Sequence, residues 1–257
     1  MNVYLKGLGA IGPGFANWAE LGNLLASSEI PSFGVVPHPQ GIILPGTERR
    51  RASPTIKLAL DVALQAIQVS GLDADKVALV FASSNGDTDT IHHICETLAT
   101  LERFVSPTRF HNSVHNAAAG YWSIASRSMQ PSTSLCAGSG TFSAALLEGA
   151  TQCISEEVPV LISVFDTAFP DPLYDITPAH KAFGVAMVLD ENPGNAIAQF
   201  SIELSQEEPD TLSGWETVRT DASAARVLPL LATIAKGKGT VVLEYLEDLG
   251  LKVSVTS

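Results

Sequence analysis

Apolar and polar positions alternate over residues 2–7, with β-branched and aromatic members among them, and predict a strand. A helical pattern follows over 15–25, and residues 32–47, carrying Pro37, Pro39 and Pro45, read as an irregular surface crossing. Ser53-Pro54 supplies an N-cap and a first-turn proline for a helix whose apolar stripe runs through Ile56, Leu60, Ala63, Leu64 and Ile67 to a stop at Gly71. Residues 76–82 form a nearly continuous apolar run, the pattern of a strand buried on both faces, and Asp87 is placed to cap a helix over 88–101. Further on, two helices rich in small residues flank a short strand between 110 and 150. Residues 158–165 and 184–189 predict buried strands, 196–204 an edge or antiparallel strand, 222–235 a helix, and 240–245 and 251–255 two last strands. Strands interleaved with helices predict an α/β layered fold with helices covering a sheet, as one domain over 1–257.

Composition narrows the function classes. Of 257 residues 46% are apolar and 16% charged, so the chain can bury a large core. The net charge of −12, with no basic stripe, argues against nucleic acid as a partner. Apolar runs such as 158–165 are far too short to span a bilayer, and no signal peptide is visible at the start. Cys95, Cys136 and Cys153 show no metal-ligand spacing and fit reduced thiols in a cytoplasmic protein, with no metal and no cofactor expected.

Several groups could still carry chemistry. Residues 7–12 match G-x-G-x-x-G after a strand, but Pro13-Gly14 lengthens the turn, and Glu29 lies in a Ser-Pro loop rather than at the end of a second strand. A structural glycine turn is the better reading than NAD binding. Arg49, Arg50 and Arg51 form the only basic cluster, read as a solvated helix entry or as a docking patch for an acidic partner. His92 and His93 diverge by about 100° on a helix and cannot chelate one metal together. Tyr121 and Trp122 offer large apolar area to a core or to an interface.

The order and spacing of these segments resemble the N-terminal half of a β-ketoacyl synthase, which has the thiolase fold. The resemblance runs over about residues 1–205: the strand and glycines of 3–14, the helix 56–69, Asn116-Ala117-Ala118-Ala119-Gly120, Pro131-Ser132-Thr133-Ser134, and the glycine-rich strand at 183–189. The wording of 115–122 is similar to the short chain-length-factor subunits of aryl-polyene and xanthomonadin-type pigment biosynthesis. That resemblance implies a non-catalytic subunit pairing with an active ketosynthase in carrier-protein-dependent chain elongation.

Two departures from the family pattern point the same way. A condensing enzyme places a cysteine at the start of the helix after this strand, where the helix dipole and backbone N–H groups favour thiolate and oxyanion. Aligned without gaps, Ser139 takes that place, and Cys136 falls three residues earlier, in the strand. A serine without an adjacent base is a poor nucleophile, so a helix-capping serine and a buried cysteine are the favoured readings, with an acyltransferase or thioesterase using either as the alternative. The family's catalytic histidines belong to a C-terminal half that 257 residues do not accommodate, and His111 and His115 precede the elbow. By position, Arg109, Phe110, Ser113 and Val114 form the loop before the Asn116 helix that reaches a partner's acyl tunnel, with Tyr121 and Trp122 beside it. An acidic carrier protein is expected to dock mainly on the partner subunit, with Arg49, Arg50 and Arg51 as a second patch.

Overall fold

The computed structural model describes residues 1–27, 33–176 and 181–257; Glu29 lies outside them. The described strands form one mixed sheet in the order β3-β2-β4-β5-β1-β6-β8-β7. They are β1 (Asn2–Ile11), β2 (Ala78–Ala82), β3 (Ser132–Leu135), β4 (Val160–Asp166), β5 (Phe183–Asp190), β6 (Ala198–Ser205), β7 (Gly239–Leu246) and β8 (Leu249–Thr256). Strands β3, β2 and β4 run parallel, and every other pairing is antiparallel.

Helices cover both faces, as the alternating pattern predicts. On one face lie α3 (Pro54–Ser70) and α6 (Ala117–Ser126). On the other lie α1 (Trp18–Ala26), α7 (Thr141–Glu156) and α9 (Leu228–Ala235). Three shorter helices, α2 (Gly46–Arg51), α5 (Pro107–Asn112) and α8 (Glu216–Asp221), and the exposed α4 (Thr88–Ala99) complete the described α-helices.

Local rules account for most boundaries. Ser53 accepts from the Ile56 amide at 3.2 Å, and Gly71 adopts φ +69° where α3 stops. Asp87 caps α4, accepting from the Thr90 amide at 3.1 Å and its hydroxyl at 2.9 Å.

Two expectations are corrected. The glycines of 7–12 do not form a turn: β1 runs on to Ile11, and Gly7 and Gly9 lie beneath α3. A Cβ on either would strike the carbonyl oxygens of Ala66 and Val62, so these glycines serve close helix–strand approach and leave no dinucleotide loop. The single helix expected over 222–235 is a 3-10 segment (Ser223–Val227) followed by α9, because Pro229 cannot donate within a continuous helix and instead sits in its first turn.

The sheet has two unlike edges. At β7 the neighbouring loop covers the edge: the Asp210 amide donates to the Val242 carbonyl at 2.8 Å, and the Val242 amide donates to the Asp210 carboxylate at 2.7 Å. At β3 nothing within the described chain does this. Its ladder to β2 uses Pro131, Thr133 and Leu135, seen in Leu79 N to Pro131 O at 3.0 Å and Ser83 N to Leu135 O at 3.3 Å. That register turns the backbone groups of Ser132 and Ser134 outward.

Candidate functional site

The carboxyl ends of the three parallel strands meet at one place, where loops from open α/β sheets commonly bind ligands. Chain 83–87 leaves β2, chain 136–140 leaves β3 and chain 166–169 leaves β4. The elbow after β3 is a 3-10 turn, Gly138–Gly140, that runs into α7. Ser139 is exposed there and makes no side-chain hydrogen bond. It does not cap α7 as expected: the N-cap position is Gly140, and no side chain caps the helix. Thr141 instead ties the turn together, accepting from the Ala137 amide at 3.1 Å and donating to the Gly138 carbonyl at 2.7 Å.

Cys136 is likewise displaced from its expected setting. Since β3 ends at Leu135, the thiol lies beyond the strand and is exposed, donating to the Ser84 carbonyl at 3.3 Å. The buried cysteine is Cys153, whose thiol burial pushes up to about 12, which keeps it inert.

A cavity of about 280 Å³ opens beside the elbow, lined by Ser84, Asn85, Gly138, Ser139, Ser223 and Arg226 among others, and no histidine lines it. His115 instead directs Nε2 at the Ser83 carbonyl, 3.0 Å away, and His111 packs edge-on against Tyr121 with centroids 5.9 Å apart. The far side of the elbow is closed by the chain itself. A Cβ on Gly140 would fall on the Tyr245 carbonyl of β7, and Ser143 donates to the Glu244 carbonyl at 2.6 Å. Backbone carbonyls therefore stand against the start of α7, opposite in sign to what an oxyanion would need there.

Beneath the elbow lies a carboxylate that sequence reasoning missed. Asp166, the last residue of β4, is fully buried. Its Oδ1 accepts from the Ser83 hydroxyl at 3.0 Å, the Ser84 amide at 2.9 Å and the Ser84 hydroxyl at 3.0 Å, and its Oδ2 accepts from the Ala224 amide at 2.9 Å. Burial pushes its pKa above the ordinary aspartate range, and the four donors offset part of that rise. The carboxylate fastens segment 223–227 over the ends of β2 and β4. An ion pair holds the same segment to β7, Arg226 lying 2.7 Å from Glu244, which Arg219 of α8, paired with Glu216 at 2.9 Å, also approaches at 3.9 Å. The available signal was a lone acid closing an apolar strand.

The segment read as a loop before the Asn116 helix is partly helical. Arg109 and Phe110 lie on α5, Ser113 is its C-cap and Val114 follows in the turn. Phe110 is 66% exposed and Val114 50%, and upstream Leu101 and Phe104 are fully or largely exposed. Asn116 is exposed and makes no capping bond.

Tyr121 and Trp122 are core residues rather than surface ones, because the small residues of α6 bring that face against α3 and β2. Tyr121 donates to Asn112 at 3.0 Å, and Trp122 packs on Phe81. Of the three arginines on α2, Arg49 donates to the Leu44 carbonyl at 2.9 Å and is tied to its own loop, Arg51 pairs loosely with Glu48 at 3.4 Å, and Arg50 is exposed with no ion pair. Among the described residues there is no cluster suited to a metal ion and no helix long and apolar enough to cross a membrane.

Comparison with known proteins gives the fold its relatives. A family profile described as beta-ketoacyl synthase, N-terminal domain, matches residues 26–247. No curated protein matches the sequence. Among solved structures, one similar chain belongs to the ketosynthase (ApeO) in complex with its chain length factor (ApeC) from Xenorhabdus doucetiae, with TM-score 0.78, 22% identity and 99% of each chain covered. A second belongs to AntDE:AntF, a type II PKS acyl-carrier protein in complex with its ketosynthase, with TM-score 0.78, 11% identity, and 100% of this chain and 99% of that one covered. Against the ketosynthase from module 6 of the bacillaene synthase of Bacillus subtilis 168 the TM-score is 0.57 at 14% identity, and 80% of this chain covers only 41% of that one. The architecture is thus the thiolase-like layering expected from the sequence, that of the N-terminal half of a ketosynthase.

Proposed function

This chain belongs to the β-ketoacyl synthase N-terminal domain family, and from that premise we propose that it is a non-catalytic, chain-length-factor-like subunit pairing with an active β-ketoacyl-ACP synthase in aryl-polyene or polyketide-type chain elongation. The observation that carries this reading is the elbow. By ungapped alignment Ser139 stands where the family keeps its nucleophile; it has no hydrogen-bonded base and lies in the turn before α7, whose N-terminus is packed on the carbonyls of β7.

Pairing gives the remaining features a use. An uncharged edge strand with outward Ser132 and Ser134 backbone groups is a template for a partner strand, and the covered β7 edge is not. The exposed apolar side chains around α5 would be buried by a neighbouring subunit in this reading. Arg109, Phe110, Ser113, Val114 and Asn116 reach the partner's acyl tunnel in this reading, with Phe110 the bulkiest stop. One methylene in such a tunnel is worth about 1–3 kcal/mol of discrimination, enough to bias product length. The acyl carrier protein reaches the pair mainly through the ketosynthase, and the free thiols Cys95 and Cys136 suit a cytoplasmic setting.

The test is intact-mass analysis of the isolated chain after incubation with malonyl- and acyl-carrier proteins. The expected result is neither an acyl adduct nor a condensation product, with elongation appearing only when the ketosynthase is added. An adduct lost in Ser139→Ala or Cys136→Ala would make the chain an acyltransferase or thioesterase instead.

A further inference from the structure

Of the asparagines in the chain, only Asn85 is followed by glycine, and the pair stands in the segment that leaves β2 beside the elbow. Asn85 is exposed, and its carboxamide makes no hydrogen bond among the described residues. Gly86 sits at φ +65°, and a Cβ built on it would meet nothing within 4 Å. Neither a side chain at residue 86 nor a packed neighbour therefore shields the Gly86 nitrogen on that side. One contact does restrain it. The Gly86 amide donates to the Ser83 hydroxyl oxygen at 2.9 Å, and that hydroxyl donates to Asp166 at 3.0 Å. Ser83 and Asp166 are both fully buried, so the amide is tied through one serine to the floor of the elbow.

We propose that Asn85 is a self-modification site, converted to aspartate and isoaspartate at a rate that the Ser83 hydrogen bond sets. The Gly86 amide gives its proton to a solvent base, and its nitrogen attacks Asn85 Cγ. A C–N bond forms, the bond to the side-chain nitrogen breaks, and that nitrogen takes up a proton and leaves as ammonia. Water then opens the cyclic imide at either carbonyl, breaking one C–N bond, returning a proton to the nitrogen and leaving a carboxylate. Nothing is oxidised or reduced, and water is the only co-reactant. Opening one way gives aspartate at position 85, and opening the other way lengthens the backbone there by a methylene. Both products put a new negative charge on the wall of the cavity that Asn85 shares with Ser139, Asp221 and Arg226. The longer backbone enters just ahead of the Asp87 cap of α4. The elbow thus has an early form, neutral at residue 85, and a later anionic one, whatever the pairing role.

The experiment incubates the folded chain in near-neutral and in mildly alkaline buffer, separates charge forms by ion exchange and locates the change by peptide mass mapping. Enzymatic methylation of isoaspartate counts the rearranged product. An acidic form that maps to residue 85 should accumulate, faster at the higher pH because the attacking amide must lose a proton. Asn85→Gln, which would have to close a larger ring, should keep its original charge. Ser83→Ala frees the Gly86 amide and should speed conversion roughly fivefold, the factor that one hydrogen bond implies. Urea-unfolded wild type supplies the unrestrained rate and should convert faster than the folded chain. Asn85 left intact in folded wild type and in folded Ser83→Ala, while the unfolded chain converts, overturns the proposal. Equal rates in folded wild type and Ser83→Ala overturn the part given to Ser83. If Ser83→Ala does not fold, the folded wild type decides alone, by converting at residue 85 or by staying intact.

Discussion

Removing the Asp166 carboxylate tests how the elbow is built. In Asp166→Ala the Ala224 amide, inside the core, loses its acceptor outright, whereas the Ser83 hydroxyl keeps one partner, the Gly86 amide at 2.9 Å. The Ser84 groups are only partly buried and can turn to water. One orphaned buried N–H costs about 1–3 kcal/mol, and the vacated volume adds about 1 kcal/mol, so about 3 kcal/mol in all. For a chain of this length that lowers Tm by about 6–12 °C in a thermal melt. Asp166→Asn keeps one acceptor oxygen for the serines but sets an NH₂ against the Ala224 N–H, at about 1–2 kcal/mol. The pH dependence gives the sharper check. Burial raises this carboxyl's pKa in the folded state, so the folded chain binds the proton more tightly than the unfolded chain does. Its contribution to stability is present in full below the unfolded value, near 4, and is lost as pH rises through the folded value. The stability gap between wild type and Asp166→Asn should therefore narrow from pH 4 upward in urea titrations. A gap that widens with pH would mean a carboxylate held ionised, and the reasoning would be wrong.

Three further perturbations follow from the geometry. Arg127 and Glu157 end α6 and α7 at φ +57° and +55°, so glycine at either should raise stability by about 0.5–1 kcal/mol, read as a Tm gain of about 1–4 °C. Gly140→Ala drives a Cβ into the Tyr245 carbonyl and should cost about 1–3 kcal/mol in chemical denaturation; a neutral result would mean that β7 is not pinned to the elbow. Phe110→Ala, at a site 66% exposed, should leave Tm unchanged and lengthen the polyene made by the reconstituted pair, as resolved by mass spectrometry; unchanged product length would remove Phe110 from the gate.

Periodicity located the major elements because each buried strand and long helix carries its own apolar pattern. The α3 caps at Ser53 and Gly71 and the α4 cap at Asp87 were legible for the same local reason. The short helices were not: α5 and α8 have six residues each, too few for a stripe to show. The glycines of β1 misled because G-x-G-x-x-G records only that side chains are excluded, and here α3 excludes them rather than a phosphate. At the elbow, spacing put Ser139 in the turn before α7, yet the exposure of Cys136 depended on β3 stopping at Leu135. The Asp166 clamp, Asp210 on the β7 edge and the bond from Asn112 to the Arg51 carbonyl were invisible because their partners lie 58, 32 and 61 residues away in sequence. Tyr121 and Trp122 show the converse, since apolar area alone does not say which surface it meets.

The central claim is that this chain works by pairing through an open edge strand. Ser134→Pro tests it directly. The Ser134 amide points away from β2, so proline leaves the internal ladder intact and removes only an outward donor. The measurement is the mass of the chain co-expressed with its ketosynthase, by native mass spectrometry. The account predicts a one-to-one complex for wild type and separate subunits for Ser134→Pro, with the variant's own Tm unchanged. A wild-type chain that stays alone beside the ketosynthase, or a Ser134→Pro complex as tight as wild type, would contradict it.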